Sequence, residues 1–509
     1  MKLNKLFFMA VMGLGLFACS ENELEGNGPE GAQAEGTTYV GLKINFNSSS
    51  TRATGDQPVD GDGDGTLYDD NEPAFTIESA VKDVRIVVTD AEGKSQYNAI
   101  VTPVDDIYLI EITPGIKKFY AVVNGQSLGL DGQFSSWAGE QKTLKMEASK
   151  LYQYTDGSTG KGFLMSSVAA VERTIQDNVS KEDVKNGTAN NVTIAVDRVV
   201  AKVTMQLKDG LTFDNQTATL KKLTCQIGNA DNLEYNKDGA DDAAKYTTAG
   251  TYLMAYDDNG VRKTPYFDYP LAGMDWTDFD QTDLLNAPGT VIYENGAVST
   301  TTPTARFYCL ENTHANSGKK NYLQGNTTFI RVKAEMIPNS AKTFTYSAGV
   351  DPAVTISDKD DMPETLETFY VITAAPNQDD QDSYVFASDL AGLYNNLVPG
   401  GRETETDKKA AAVVKALATD GYNFTEPYTN GCGYYNIWVN DMKNENNQYL
   451  NIAPVFRNDW YDLTINSITL PGSPNESLDP GQPIHPNTNV GITLTVRNWN
   501  KVNHNVNLQ

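Results

Sequence analysis

Histidine and cysteine are nearly missing, with three His and four Cys in 509 residues. His314, His485 and His504 lie far apart, no His-Glu-x-x-His occurs and no cysteine stands in a metal-ligand pair, so the sequence offers no metal centre. Cys225, Cys309 and Cys432 show no paired spacing, which argues against a disulfide framework. Positive charge is scarce too: 40 Lys and Arg stand against 66 Asp and Glu, a formal net charge of -26. Without clustered basic residues there is nothing to hold a phosphate backbone, and a nucleic-acid partner is excluded. Gly160-Lys161 is no phosphate loop, because Thr155 replaces its first glycine and Gly162 its hydroxyl. Chance Asp/Glu pairs are unavoidable among so many carboxylates and point to no glycosidase chemistry. The expectation is a protein that is not an enzyme and takes no cofactor.

What the chain does have is alternation. Val490, Ile492, Leu494 and Val496 alternate with Gly491, Thr493, Thr495 and Arg497, the pattern of a strand with one buried face. After Trp499 the same parity resumes with Val502, His504, Val506 and Leu508. Near the other end, Val40, Leu42, Ile44 and Phe46 alternate with Gly41, Lys43, Asn45 and Asn47. Two strands of one kind, one at each end, can compete for one groove. Between them, 26 Tyr against 18 Phe and short apolar runs separated by Gly, Asn, Asp and Thr read as mainly β structure with many turns. Length suggests two large domains, 53–208 and 209–470.

The apolar run of the first 18 residues follows Lys2 and Lys5 and is too short to span a bilayer as an ordinary helix, so it reads as a secretory signal. Leu16 and Ala18 before Cys19 resemble a bacterial lipobox, which makes Cys19 the acylated N-terminus, with several chains giving stable anchoring. Residues 19–36 read as a flexible tether and 37–52 as a cleavable first strand. Arg52, followed by Ala53, is the first arginine of the chain and lies in a polar run, a good site for a trypsin-like protease. The Asp-Gly run at residues 60–65 starts like a calcium loop, yet its twelfth position is Asn71, and an acidic linker is the better reading.

Further strands are expected at Val84–Val88, at Ile107, Leu109 and Glu111, at Phe119–Val123, at Val192–Val196 and at Val199–Met205. The second half adds strands over Leu211–Ile227 and Thr328–Met336. It also adds helices over Asp389–Leu397, capped by Ser388, and Lys408–Ala418, opened by Asp407 and closed by Gly421. Residues 471–489, with Pro471, Pro474, Pro480, Pro483 and Pro486, read as a linker that spans on the order of 60 Å when semi-extended. Residues 490–509 are the strand that needs a sheet edge.

Several stretches together resemble one family: the box around Cys19, the run ending Ser-Thr-Arg52-Ala53, Val199–Thr204, Arg306–Pro338 with Glu311-Asn312-Thr313-His314, Val455-Phe456-Arg457-Asn458, and Trp499–Leu508. They resemble the stalk fimbrillins of Bacteroidetes bacteria, the type V pilins, and within them the major stalk subunit of the short, or minor, fimbria. The resemblance implies two transthyretin-like β-sandwich domains, an outer-membrane lipoprotein precursor held by lipid on Cys19, and a cut after Arg52 by an arginine-specific protease. It also implies a linear polymer on the cell surface in which the C-terminal strand of another copy fills the vacated groove. Accessory anchor and tip pilins would be further partners, and adhesion or biofilm formation the purpose. Two alternatives stay open: a tip or anchor pilin of the same family, and a surface lipoprotein that binds glycans on Trp137, Trp276, Trp438 and Trp460.

Overall fold

The computed structural model describes residues 36–45, 81–125, 162–208, 217–228, 290–294, 296–300, 304–313, 322–350, 352–442, 446, 448–475, 478, 482–485 and 490–498. The protein is mainly β, with a few short helices. Its N-terminal sheet uses β1 (Thr38–Asn45), β2 (Val84–Asp90), β3 (Ser95–Ile100), β4 (Tyr108–Ile112), β5 (Gly115–Val123), β6 (Met165–Ser167), β7 (Val171–Ile175) and β8 (Asn191–Arg198). The order is β3-β2-β5-β6-β8-β1-β4, with β7 paired to β5. β8 pairs with β1 up to Ala195 and with β6 from Val196, so it passes from one leaf to the other and the sheet folds into a sandwich. The core is filled by alternate residues: Val40, Leu42 and Ile44 of β1 meet Val84, Ile86, Phe119 and Ala121 of the facing leaf.

A four-stranded sheet follows, made of β9 (Val200–Leu207), β13 (Thr304–Leu310), β21 (Asp459–Ile468) and β22 (Val490–Asn498) in the order β13-β9-β21-β22. Its partner sheet holds β10 (Ala218–Gly228), β11 (Thr290–Glu294), β12 (Ala297–Val298), β14 (Phe329–Pro338) and β20 (Cys432–Trp438). Val203, Met205, Phe307, Tyr461 and Leu463 share one apolar core with Leu223, Ile227, Ile330, Val332 and Ile437. A fourth sheet contains β15 (Lys342–Ser347), β16 (Ala353–Asp358), β17 (Phe369–Ala374), β18 (Tyr384–Phe386) and β19 (Asn423–Phe424). The helix Thr406–Leu417 buries Ala410, Val413 and Leu417 against it, in a separate core with Phe344, Ile372 and Leu390.

Five expectations change. β9 pairs in parallel with β21 and antiparallel with β13, so the chain changes sheet at Val199 and a boundary at residue 208 falls one strand late. In β4 the residues turned to the sandwich core are Tyr108, Ile110 and Ile112, while Ile107 and Leu109 join a second cluster on the other side. The helix expected at 389–397 is two helices, Ala387–Gly392 and Tyr394–Leu397. Ser388 lies inside the first, donating to Glu367 Oε2 at 2.8 Å rather than capping. Thr406, not Asp407, opens the next helix, and a 3-10 turn Ala418–Asp420 carries it to Gly421. The strand expected from Leu211 begins at Ala218, and residues 209–216 lie outside the described residues, as does the run 60–65.

Candidate functional site

The two end strands occupy contrasting positions. β1 is an interior strand, antiparallel to β4 from Thr38↔Ile112 to Leu42↔Tyr108 and parallel to β8 from Gly41↔Asn191 to Asn45↔Ala195. Val40 and Leu42 are fully buried and Ile44 nearly so. Phe46, Arg52, Ala53 and Cys19 lie outside the described residues.

The outer face of β1 is covered as well. The helix Lys181–Lys185 starts from a capping box in which Ser180 Oγ accepts from the Asp183 backbone N–H at 3.2 Å and the Ser180 N–H donates to Asp183 Oδ2 at 3.1 Å. The same hydroxyl and amide hold the Asp183 carboxyl below its usual range. Val184, the helix's buried residue, rests on β1 together with Tyr39, Ile107 and Val179. Position 41 must therefore be small: a Cβ there would stand 2.4 Å from Val184 Cγ1 and 2.9 Å from Ile107 Cγ2. Lys181 Nζ sits 5.2 Å from the centre of the Tyr39 ring. Burial first, and the Glu111 carboxylate second, push the Tyr39 phenol up.

A latch closes the start of the strand. The Tyr39 N–H donates to Val179 O at 3.2 Å, the Gly41 N–H to Asn190 O at 3.0 Å, and the Val179 N–H to Thr38 Oγ1 at 3.0 Å. Asn190 adopts φ +48°, a left-handed conformation that Asn tolerates, and its amide reaches Tyr39 O at 3.0 Å and Gln176 O at 2.9 Å. Nothing in the strand's own alternation marks Asn190 or Val184. The Ser180-x-x-Asp183 spacing is the sequence signal that could have found the helix.

β22, by contrast, is the last strand of its sheet among the described residues, paired only with β21, from Ile468↔Val490 to Asp459↔Asn498. Ile492 and Leu494 lie half-buried on the large core and Thr493 is exposed, its hydroxyl accepting from Asn466 Nδ2 at 2.7 Å. Val490 and Val496 take the register positions opposite Ile468 and Tyr461. Trp499, Val502, Val506 and Leu508 lie outside the described residues.

The segment expected as a free linker is docked wherever it is described. Tyr434 and Ser473 exchange backbone hydrogen bonds of 2.8 and 3.0 Å, Tyr428 Oη donates to Gly472 O at 2.9 Å, and Gln324 N–H to Gln482 O at 2.9 Å. Ile484 is fully buried with Tyr322, Phe329, Trp438 and Ala453, and Trp438 Nε1 donates to His485 O at 2.8 Å. The prolines remove donors from this strap but leave carbonyls and the intervening amides to bind it down. Gly433 makes room for it, since a Cβ there would stand 1.8 Å from Pro471 O.

At the junction between the sandwiches, Asn458 Nδ2 donates to Asp197 Oδ1 at 2.9 Å, and its N–H to Val200 O at 2.7 Å. Next to it Arg457 Nε meets Glu311 Oε2 at 2.7 Å in a buried ion pair. Of the four tryptophans a sugar platform would need, Trp438 is buried and Trp460 packs on the large core, its Nε1 donating to Thr204 Oγ1 at 2.8 Å. Trp137 and Trp276 lie outside the described residues. Cys225, Cys309 and Cys432 are buried, and no disulfide joins them to one another.

Residues 426–505 match the family model described as Major fimbrial subunit protein type IV, Fimbrillin, C-terminal. The matched span contains β20, the strap, β21 and β22. Among solved structures the chain is similar to a fimbrilin (fimA) from Porphyromonas gingivalis, 15% identical, over 92% of this chain and 98% of that one, with a TM-score of 0.41. It is also similar to the tip fimbrial protein Mfa3 from Porphyromonas gingivalis with C-terminal truncation, 12% identical over 91% and 100%, with a TM-score of 0.35. A third is a fimbrial assembly protein from Parabacteroides distasonis, 9% identical over 63% and 96%, with a TM-score of 0.25. The segment 426–505 is thus similar to the C-terminal part of the fimbrillins.

Proposed function

We propose that this protein is a stalk subunit of a surface fimbria, polymerised when the C-terminal strand of one copy replaces β1 of another. One observation carries the reading: β1 is an interior strand whose end, Asn45, precedes the single early arginine Arg52, while β22 is the last strand of its sheet among the described residues, with Ile492 and Leu494 half-buried. A cut between Arg52 and Ala53 severs β1 from the rest of the chain and from lipid on Cys19. The precursor travels as a lipoprotein to the outer membrane and is released into the fimbria by that cut.

An emptied slot between β4 and β8 would leave two unpaired edges over an apolar groove, a state that invites another strand. Val40, Leu42 and Ile44 contribute roughly 5 to 9 kcal/mol at about 1.5 to 3 kcal/mol each, an upper figure, so β1 leaves only as another strand enters. The incoming strand supplies main-chain hydrogen bonds to both neighbours, and its alternate side chains seat in the pockets. The tail, residues 490–509, has the needed alternation at Val490, Ile492, Leu494 and Val496 and again at Val502, Val506 and Leu508, with Trp499 between the two runs. Anchor and tip pilins end the polymer, which serves adhesion or biofilm formation. The protein's work is mechanical, not catalytic.

Limited trypsin treatment of the purified precursor tests this. The full chain should give ladders or fibres after cleavage at Arg52, and both Arg52→Ala and a truncation after Asn489 should stay monomeric. A full chain that remains monomeric after a verified cut would overturn the stalk reading and leave the glycan-binding one.

A further inference from the structure

We infer that Gly491 sets the register of exchange: the half of the tail that enters the slot is 490–496, with Gly491 in the place of Gly41 beneath Val184. This rests on the strand-exchange reading and adds to it which residues exchange.

The constraint comes from the acceptor. Val184 is fully buried and sits on a helix fixed by the Ser180–Asp183 capping box, so it cannot simply swing away from position 41. Ile107 Cγ2 and Asn191 Oδ1 close the same space, at 2.9 and 3.2 Å from where a Cβ would be. Whatever replaces β1 while this helix stays in place needs a glycine there. The tail from Val490 onward contains a single glycine, Gly491.

Setting Gly491 on Gly41 aligns the rest without a gap. Val490, Ile492, Leu494 and Val496 take the places of Val40, Leu42, Ile44 and Phe46, while Thr493 and Thr495 take those of Lys43 and Asn45. From 490 to 496 apolar meets apolar and polar meets polar; one residue earlier, Asn489 falls on the buried Tyr39, so the match begins at Val490. Lys43 is exposed, so a threonine there loses nothing by burial. The second half of the tail fails the same test. Its alternation of Val502, His504, Val506 and Leu508 puts Asn503, Asn505 or Asn507 beneath Val184, and each carries a Cβ. A two-residue slip of the first half fails as well, because it brings Thr493 there.

The transfer also has a direction. On their own sheet edge Ile492 and Leu494 are half-buried; the positions they would take, those of Leu42 and Ile44, are buried. Residence on β21 is thus a holding position that the same strand leaves for a better-covered one.

The test uses the full-length precursor, cut at Arg52, with the uncut variants first shown to be folded monomers. Gly491→Ala and Gly491→Val should lower the yield of polymer at least tenfold, and Val184→Ala in the accepting subunit, which removes the tightest of the three contacts, should restore part of the yield of the Gly491→Ala donor. Register is read separately by pairing Thr193→Cys on one subunit with Thr493→Cys on another. Thr193 is the partner of Lys43 in the β1–β8 ladder, so the disulfide should form between subunits at position 493 and not with Thr495→Cys. If the Gly491 variants polymerise like the unaltered chain while truncation after Asn489 abolishes assembly, strand exchange stands and the register inference is overturned in favour of the 499–508 half. If the truncated chain also polymerises, both fall together.

Discussion

Arg457 and Glu311 form an ion pair with side chains 2% and 0% exposed, at the point where the chain enters β21. A buried pair gains little over a well-packed apolar substitute, but losing one partner strands a charge away from water. Glu311→Leu or Arg457→Met alone should therefore lower the unfolding free energy by about 3 to 5 kcal/mol. The double variant should recover much of the loss, as read from urea midpoints. The sequence carries both residues in stretches that resemble the family, yet nothing local joins positions 146 apart. Only the strand pairing of β9 with β21 and β13 brings them together.

Tyrosines supply a pH dependence. Tyr428 lies stacked on Phe369 with ring centres 4.7 Å apart, and burial, followed by the neighbouring Tyr384, pushes its phenol up to about 12. Burial pushes Tyr435 up as well, and its hydroxyl donates to Thr469 O at 3.0 Å. The folded state favours the neutral phenol, so this stability is complete below the ordinary tyrosine value near 10 and is lost as pH rises from there to about 12. The urea midpoint should fall across that window, and Tyr428→Phe should make the fall shallower. Because Tyr428 and Tyr435 bind Gly472 O and Thr469 O, the start of the strap should loosen first, seen as faster amide exchange there.

Among the elements, the strap departs furthest from what its sequence suggests. Five prolines in residues 471–489 argue against a continuous strand, and among the described residues of this run only the isolated bridges Tyr434↔Ser473 and Leu323↔Pro483 form, but proline content says nothing about docking. Ile484 is one apolar residue without periodicity, and its pocket is assembled from Tyr322, Phe329, Trp438 and Ala453, which lie far off in sequence. Ile484→Ala should cost about 2 to 5 kcal/mol, and amide exchange over 482–485 and 490–498 should quicken, because the strap delivers the chain to β22. Unchanged exchange in β22 would show that the strand holds to β21 without the strap.

β8 was legible because Val192, Ile194 and Val196 face the core while Asn191 and Thr193 are exposed; β1 was legible although its outer face is partly covered, because that face carries a glycine, Gly41, and the exposed Lys43, which leave the period of Val40, Leu42 and Ile44 intact. β4 was misread because both of its faces are covered: the sandwich core takes Tyr108, Ile110 and Ile112, and the cluster around Val184 takes Ile107 and Leu109. Two buried faces erase the period that a sequence can show. The covering helix, Lys181–Lys185, buries Val184 alone, too little for a helical pattern to register. The slot was therefore legible from its inner face, while the lid that restricts its outer face emerges only from tertiary packing.

For the whole molecule, the acidic surface and the two end strands point the same way. A net charge of -26 keeps free copies apart without specific contacts, so assembly must rest on a built fit rather than on general stickiness. In the strand-exchange proposal that fit is the slot between β4 and β8, which the chain's own β1 fills in this structure. Mainly β structure and strand alternation at both ends were visible from residue patterns, and the sandwich architecture only through the family resemblance; the pairing of β22 with β21 on the chain's own second sandwich was not, because a strand's partner is a long-range choice.

The most direct measurement separates giving from receiving. A precursor cut after Arg52 and truncated after Asn489 has a slot but no tail, and an uncut Arg52→Ala chain has a tail but a filled slot. Each alone should be a monomer by light scattering, and the mixture should form a one-to-one dimer and nothing larger. Strand exchange predicts that dimer. No complex from the mixture, or growth beyond two subunits, would contradict it.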